Sequence, residues 1–184
     1  MNMHSHRDIR ILNESDITAD LDGRIRHTLS LCFPHRAEEF KHRRWLNHNT
    51  PDFSVVIDKY NTIAAHVAVI ERMITVGPCQ LRVAGVGLVA VHPDHRRQGL
   101  TSRVIKLAMY EADRRGYDMG LLFCTKEIKP IYEKNGWKQI HHAHFVHVEH
   151  GHHKPFPDER LRLYFPLEIV EFPEGSVNLD GPKW

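Results

Sequence analysis

The sequence predicts an α/β protein of the α+β kind, a mixed and mostly antiparallel sheet built around a central strand–helix–strand unit. Long apolar runs bounded by turn residues alternate with segments of helical periodicity, the pattern of a layered fold. One run, Gln80 to His92, passes through a proline into a helical stretch, Gly99 to Arg115, and then into a short apolar strand, Asp118 to Cys124. The chain has 184 residues, 41% apolar and 26% charged, which suits a single domain, 1–184, with one core.

The elements follow in order. Asp8 to Leu12 reads as a first strand. Leu21, Ile25 and Leu29 fall four apart, so a helix follows, with Asp16 or Thr18 as its cap. A second helical piece is expected over 37–46. Phe53 to Asp58 is a strand that turns at Tyr60-Asn61. Thr62 to Thr75 and Gln80 to His92 form a long hairpin around Gly77-Pro78. The helix after it buries Leu100, Val104, Leu107, Ala108 and Ala112 and stops at Gly116. A helix over Lys126 to Asn135, ended by Gly136, comes next. Trp137 to Glu149 and Arg160 to Leu167 are expected strands, separated by a polar loop from His150 to Asp158.

Bulk properties exclude several classes. The longest apolar run, Val83 to Val91, is far below the roughly 18 residues of a membrane span. The opening Met1-Asn-Met-His-Ser-His-Arg-Asp has no apolar core of a secretory signal. Cys32, Cys79 and Cys124 are odd in number and widely spaced, which predicts free thiols in a reducing, cytoplasmic setting. A net charge of +2 argues against nucleic acid as a partner. Basic residues cluster at Arg96, Arg97, Arg103 and Lys106, and acidic ones load the C-terminal end from Asp158 to Asp180. An anion is expected at the first cluster and a cation near the second.

The stretch from Val89 to Ser102, Val-Ala-Val-His-Pro-Asp-His-Arg-Arg-Gln-Gly-Leu-Thr-Ser, leads an apolar strand through a basic turn into a helix. The first turn of a helix has backbone N–H groups without intrahelical partners, and with the helix dipole they suit a pyrophosphate. Gly99 removes a Cβ, Thr101 and Ser102 add hydroxyls, and Arg96, Arg97 and Arg103 add charge. Read without context, this is equally a capped surface helix with solvated arginines.

Val89, Val91, Pro93, Arg96 and Gly99 resemble the acyl-CoA-binding motif of the GNAT N-acetyltransferases, Val-x-Val-x-Pro followed by Arg/Gln-x-x-Gly-x-Gly/Ala, with Thr101 departing from the final small residue. The resemblance implies acetyl-CoA as co-substrate and no required metal. It implies backbone contacts from Val89, Ala90 and Val91 to the pantetheine arm, and a strand N–H directed at the thioester oxygen. Arg96, Arg97, Gln98, Gly99, Leu100, Thr101, Ser102 and Arg103 would then surround the pyrophosphate. Tyr132-Glu-Lys-Asn-Gly-Trp137 resembles the family's Tyr-x-x-x-Gly-Phe/Trp segment, which implies that Tyr132 protonates the departing thiolate. A tyrosine packed on the sheet is the plain alternative.

Two subgroups are similar over most of the chain from Ile17 onward: the aminoglycoside 2′-N-acetyltransferases and the nodulation-factor N-acyltransferases. The likeness rests on Ala64-Ala-His-Val-Ala-Val-Ile, the long hairpin, Phe172-Pro-Glu-Gly-Ser and the ending Asp180-Gly-Pro-Lys-Trp184. Both acylate an amine on a sugar, so the resemblance implies a small-molecule amine acceptor, an amino sugar among the candidates, and admits a homodimer. The departures are specific. Gly87 stands where the aminoglycoside enzymes have Glu, Gly85 lies near an acid of the nodulation enzymes, and no carboxylate occurs from Cys79 to Pro93. Deprotonating the amine therefore needs another base, and His66 is the first candidate and His92 the second. A peptide N-acetyltransferase and a non-catalytic CoA-binding sensor remain alternatives.

Seven histidines lie between His141 and His153. Imidazole binds zinc, nickel and copper, yet no Cys accompanies them and their spacing matches no defined site. A polar strand and loop is the expected reading.

Overall fold

The computed structural model of the chain describes residues 7–45, 49–141, 143–157 and 159–184. Its strands are β1 (Arg7–Asn13), β2 (Phe53–Lys59), β3 (Thr62–Val76), β4 (Cys79–Val91) and β5 (Met119–Cys124). They continue with β6 (Lys138–Gln139), β7 (Phe145–Glu149), β8 (His152–Pro155), β9 (Leu161–Pro166) and β10 (Val177–Asn178). The α-helices are α1 (Ala19–Cys32), α2 (Ala37–Phe40), α3 (Leu100–Arg114) and α4 (Lys129–Glu133). No helix among the described residues is long and apolar enough to cross a membrane.

The strands form one sheet in the order β6-β9-β5-β4-β3-β10-β7-β8. One edge of β3 takes β4, and its other edge is shared, Thr62–Val69 by β2 and Thr75–Val76 by β10. β1 closes the β2 side. The β4–β5 and β7–β10 pairs are parallel and the remaining pairs antiparallel, so the expected mixed, mostly antiparallel sheet is the one observed.

Local sequence accounts for most elements. Thr18 caps α1, its hydroxyl accepting from the Leu21 N–H at 3.3 Å. Tyr60 and Asn61 both take positive φ, the twist that a two-residue hairpin requires. α3 buries Leu100, Val104, Ile105, Ala108 and Ala112 against β2, β3 and β4, each large side chain contributing about 1.5–3 kcal/mol. Gly116, at φ +71°, ends that chain reversal. α1 packs Leu21, Ile25 and Leu29 with Val56, Ile63 and Ala90 in a separate cluster.

Four expectations are corrected. The helix expected over 37–46 is one turn, α2, because apolar periodicity stops at Phe40; residues 46–48 lie outside the described part. α4 starts only at Lys129, where Pro130 suits a first helical turn, rather than at Lys126. The strand expected from Trp137 to Glu149 is two strands on different partners, β6 on β9 and β7 on β8 and β10. The expected loop after His150 contains β8, folded back on β7 at His150-Gly151, both with positive φ.

Candidate active site

β4 pairs with β3 along its length, and β5 pairs with β9 along its own. Between β4 and β5 the ladder runs only from Val83↔Met119 to Gly85↔Leu121. Beyond it β4 continues to Val91 and β5 to Cys124, so their facing edges separate into a split. Backbone N–H and C=O groups on such edges need partners from outside the ladder.

A bulge lies on the β4 side of the split. Ala68 pairs with Gly87 and His66 with Ala90, two steps on β3 against three on β4, and Leu88 takes φ +51°. The extra residue inverts the alternation. Ala84 and Val86 face the α3 core before the bulge, and Val89 and Val91 pack against it afterwards. His66 Nδ1 lies 2.9 Å from the Leu88 carbonyl oxygen. A carbonyl can only accept, so Nδ1 carries the hydrogen and Nε2 is the basic nitrogen. That Nε2 is buried with no hydrogen-bond partner among the described residues. Burial first, then the charge of Arg44, lowers the His66 pKa to about 4, against the lift from the Leu88 bond.

The chain leaves β4 through His92, whose Nδ1 accepts from the Asp94 N–H at 3.3 Å, and a single 3-10 turn, Pro93–His95. Arg97 and Gly99 take left-handed φ of +59° and +70°. A Cβ at Gly99 would meet nothing within 4 Å, so the glycine answers the φ requirement rather than a shortage of space. α3 starts with no side-chain cap and no acid in its first turn. Its first N–H groups thus keep their positive character at the open end of the split. Arg96, Arg97 and Arg103 are exposed around them, and Thr101 and Ser102 are half-buried.

Three partners of this turn were not legible in the sequence. Buried Lys59 donates to Gln98 Oε1 at 2.7 Å, which ties the end of β2 to the basic turn. Cys32 Sγ donates to the Val91 carbonyl at 3.2 Å, and its thiol pKa is raised by burial against the lowering effect of Arg96. Asn135 Nδ2 donates to Ser102 Oγ at 2.9 Å, which joins the end of α4 to the first turn of α3.

The β5 side of the split carries Cys124 and Tyr132, both buried. Tyr132 packs edge-on against Trp137 with ring centroids 5.9 Å apart. Burial raises its phenol pKa well above the ordinary value, and burial also pushes the Cys124 thiol up to about 11. Both groups therefore hold their protons at neutral pH. Gly136, at φ +92°, lets the chain turn from α4 into Trp137.

On the face of β4 opposite α3, the indole of Trp184 covers Gly85 and Gly87. A Cβ at Gly85 would stand 2.7 Å from indole Cε2, and one at Gly87 3.5 Å from Cδ1. Phe123 of β5 lies 5.2 Å from the indole by centroid. The histidine-rich segment forms the β7–β8 hairpin, with His147 buried edge-on to Phe156 at 5.8 Å and His152 and His153 exposed. His142 and Asp158 lie outside the described residues. Among those described, no group of three His, Cys, Asp or Glu is placed to hold a metal ion.

Several known proteins are similar to this chain in sequence or in fold. A family model described as an acetyltransferase (GNAT) domain matches residues 8–140. Nodulation protein A of Bradyrhizobium sp. (strain NC92) is 31% identical over 165 residues, covering 80% of this chain and 75% of that protein. An aminoglycoside 2′-N-acetyltransferase of Mycolicibacterium fortuitum is 29% identical over 121 residues, covering 65% of this chain and 61% of the relative. Among solved structures, the GNAT family N-acetyltransferase YhbS of Escherichia coli, in complex with CoA, superposes with a TM-score of 0.65 at 16% identity, over 98% of this chain and 93% of that one. A GNAT family acetyltransferase of Brucella melitensis in complex with acetyl-CoA gives a TM-score of 0.59 at 17% identity, over 94% and 96% of the two chains. The family match spans most of the chain and takes in the bulge, the basic turn and Tyr132, so the chain belongs to the GNAT family of acetyltransferases.

Proposed function

We propose that residues 1–184 form one acyltransferase domain that moves an acyl group, acetyl first among them, from a CoA thioester to a primary amine. The observation that carries this reading is the split itself, two strands that part beside a bulge and lead to a basic, uncapped helix start. The residues present fit CoA. The first N–H groups of α3, with Arg96, Arg97, Gln98, Gly99, Leu100, Thr101, Ser102 and Arg103, would hold the pyrophosphate, and the free edge at Val89, Ala90 and Val91 would hold the pantetheine arm. CoA, when bound, supplies an activated acyl group.

This chain's residues then have separable tasks. Tyr132 keeps its proton at the phenol oxygen and gives it to the departing thiolate, since its raised pKa suits an acid and not a base. His66 fixes the Leu88 carbonyl and so sets the direction of the neighbouring bulge N–H groups. In this reading His66 is a positioning residue, because its basic nitrogen is enclosed. The amine's proton passes to water or to His92, half-buried at the mouth of the split. The acceptor is a small amine, with amino sugars the first class to try, in keeping with the likeness to an aminoglycoside 2′-N-acetyltransferase. The three free cysteines agree with a reducing, cytoplasmic setting.

Calorimetry with acetyl-CoA tests the reading, together with a thiol-release screen over amino sugars, polyamines and peptides. Binding should fall by about tenfold when Arg97 and Arg103 become alanine, since each contributes one charge-assisted contact. A protein that binds no acetyl-CoA overturns the proposal.

A further inference from the structure

We infer that Asn135 is a positioning residue for acyl-CoA: by donating to Ser102 it turns the serine hydroxyl hydrogen outward, to the pyrophosphate. The inference rests on the acyltransferase reading and adds a residue that this reading leaves without a task.

The first ground is the identity of the atoms. Asn135 Nδ2 lies 2.7 Å from the Ile131 carbonyl oxygen and 2.9 Å from Ser102 Oγ. A carbonyl can only accept, so the amide atom that faces Ile131 is the nitrogen and not the oxygen. An amide nitrogen can only donate, so Ser102 Oγ is the acceptor in the second bond. The serine hydrogen therefore points away from Asn135.

The second ground is where that hydrogen goes. A serine in a helix commonly returns it to the carbonyl four residues back. Ser30 of α1 does this, donating to the Arg26 carbonyl at 2.9 Å. Ser102 makes no such bond, and among the described residues its hydroxyl has no acceptor. It is the third residue of α3, half-buried, in the turn whose N–H groups have no intrahelical partners. An anion held by those N–H groups is the acceptor that the hydroxyl lacks. An O–H that donates to an anion is itself a better acceptor, so a filled site tightens the Asn135 bond in return.

The third ground is that Asn135 is fastened. Its side chain is buried, and its backbone N–H donates to the Tyr132 carbonyl at 2.8 Å. The Trp137 N–H donates to the same carbonyl at 3.2 Å. The amide is pinned through its own backbone and through Ile131, so it sets the hydroxyl rotor and does not follow it. α3 follows β4 and α4 follows β5, so the bond joins the two sides of the split where the basic turn lies.

The experiment measures acetyl-CoA affinity by calorimetry at neutral pH, beside a thermal melt. The proteins are the parent, Ser102→Ala, Asn135→Ala, Asn135→Asp, and each Asn135 change combined with Ser102→Ala. Ser102→Ala should weaken binding by about tenfold, the loss of one bond to a charged acceptor. Asn135→Ala frees the rotor and should cost about threefold. Asn135→Asp offers a carboxylate that takes the serine hydrogen, which withdraws the donor from the phosphates. Its loss should be about thirtyfold, part of it plain repulsion between the acid and the phosphates. Without the Ser102 hydroxyl, Asn135→Ala should cost nothing further and Asn135→Asp only the repulsive part, about threefold. Asn135 changes that cost the same with and without that hydroxyl, or that leave affinity at the parent level, overturn this inference and leave the acyltransferase reading standing. A parent that binds no acetyl-CoA overturns both. Should the Asn135 variants fail to fold, the side-chain amide signal of Asn135 in the NMR spectrum decides. Acetyl-CoA should shift it in the parent and not in Ser102→Ala. A signal that stays put in the parent, or moves equally in both proteins, overturns the inference.

Discussion

Replacing His66 by asparagine should make the protein less sensitive to acid. In the fold the imidazole is fully enclosed, donates from Nδ1 to the Leu88 carbonyl, and has a pKa of about 4. In the unfolded chain the same ring titrates near 6.5, the ordinary histidine value. Between these values the unfolded chain binds a proton that the fold does not, so stability is whole above about pH 6.5 and falls as pH drops towards 4. At about pH 4.5 the loss from this one group is roughly 2.5 kcal/mol, since each unit of difference is worth about 1.4 kcal/mol and the shift is nearly complete there. Asparagine can donate its side-chain N–H to the same carbonyl and has no proton to gain. Urea midpoints at about pH 7.5 and about pH 4.5 for both proteins give the test. Glu71, Glu111 and Glu149, with pKa values lowered by arginine or lysine partners, are common to both and cancel in the difference. The variant should be weaker at neutral pH, through lost packing, yet lose roughly 2 kcal/mol less on acidification. Equal losses in the two proteins would refute the idea that His66 is held neutral at the bulge.

Tyr132→Phe should slow single-turnover acyl transfer by roughly 10²–10⁴ with acetyl-CoA affinity unchanged; a parent-like rate would make Tyr132 a packing residue only. Arg44→Ala should destabilise the fold by about 3 kcal/mol, because buried Arg44 binds both Glu14 and Asp22 and its removal leaves two acids facing one another; a urea midpoint within error of the parent would contradict this. The same variant should raise the His66 pKa, which the Arg44 charge lowers, and a proton NMR titration of the ring reads it directly. Gly85→Ala should cost about 1–3 kcal/mol and shift tryptophan emission as Trp184 is pushed off β4; an unchanged melt and spectrum would mean that the ring is seated elsewhere.

Sequence signals were strong where periodicity and punctuation agreed. α1 and α3 were legible because their apolar residues recur at helical spacing between a capping Thr18 and a stopping Gly116. The β2–β3 and β3–β4 hairpins were marked by Asn61 and Gly77. Tyr132 and the basic turn were found through their motifs, and both border the split. The bulge at Leu88 was hidden, because an unbroken apolar run carries no parity that an extra residue could disturb. β8 was missed because His152, His153 and Lys154 alternate nothing apolar with polar, and β10 because two residues make no pattern. The seating of Trp184 on Gly85, the Lys59–Gln98 tie and the enclosure of His66 are long-range contacts. Nothing within a local window foretells them.

The three-residue ladder between β4 and β5 also makes the molecule a lever. β5, β9 and β6 form a panel that meets the rest of the sheet along the seam from Val83↔Met119 to Gly85↔Leu121. Cys124 stands three residues past the seam's end, roughly 10 Å away at strand spacing. A rotation of the panel by about 10° therefore moves Cys124 by roughly 1.7 Å, about a third of the spacing between neighbouring strands. The aperture is thus gauged at its far end, by Val83, Met119 and Leu121, all fully buried. Trimming a methyl group there would alter the width of the opening without touching any residue that lines it.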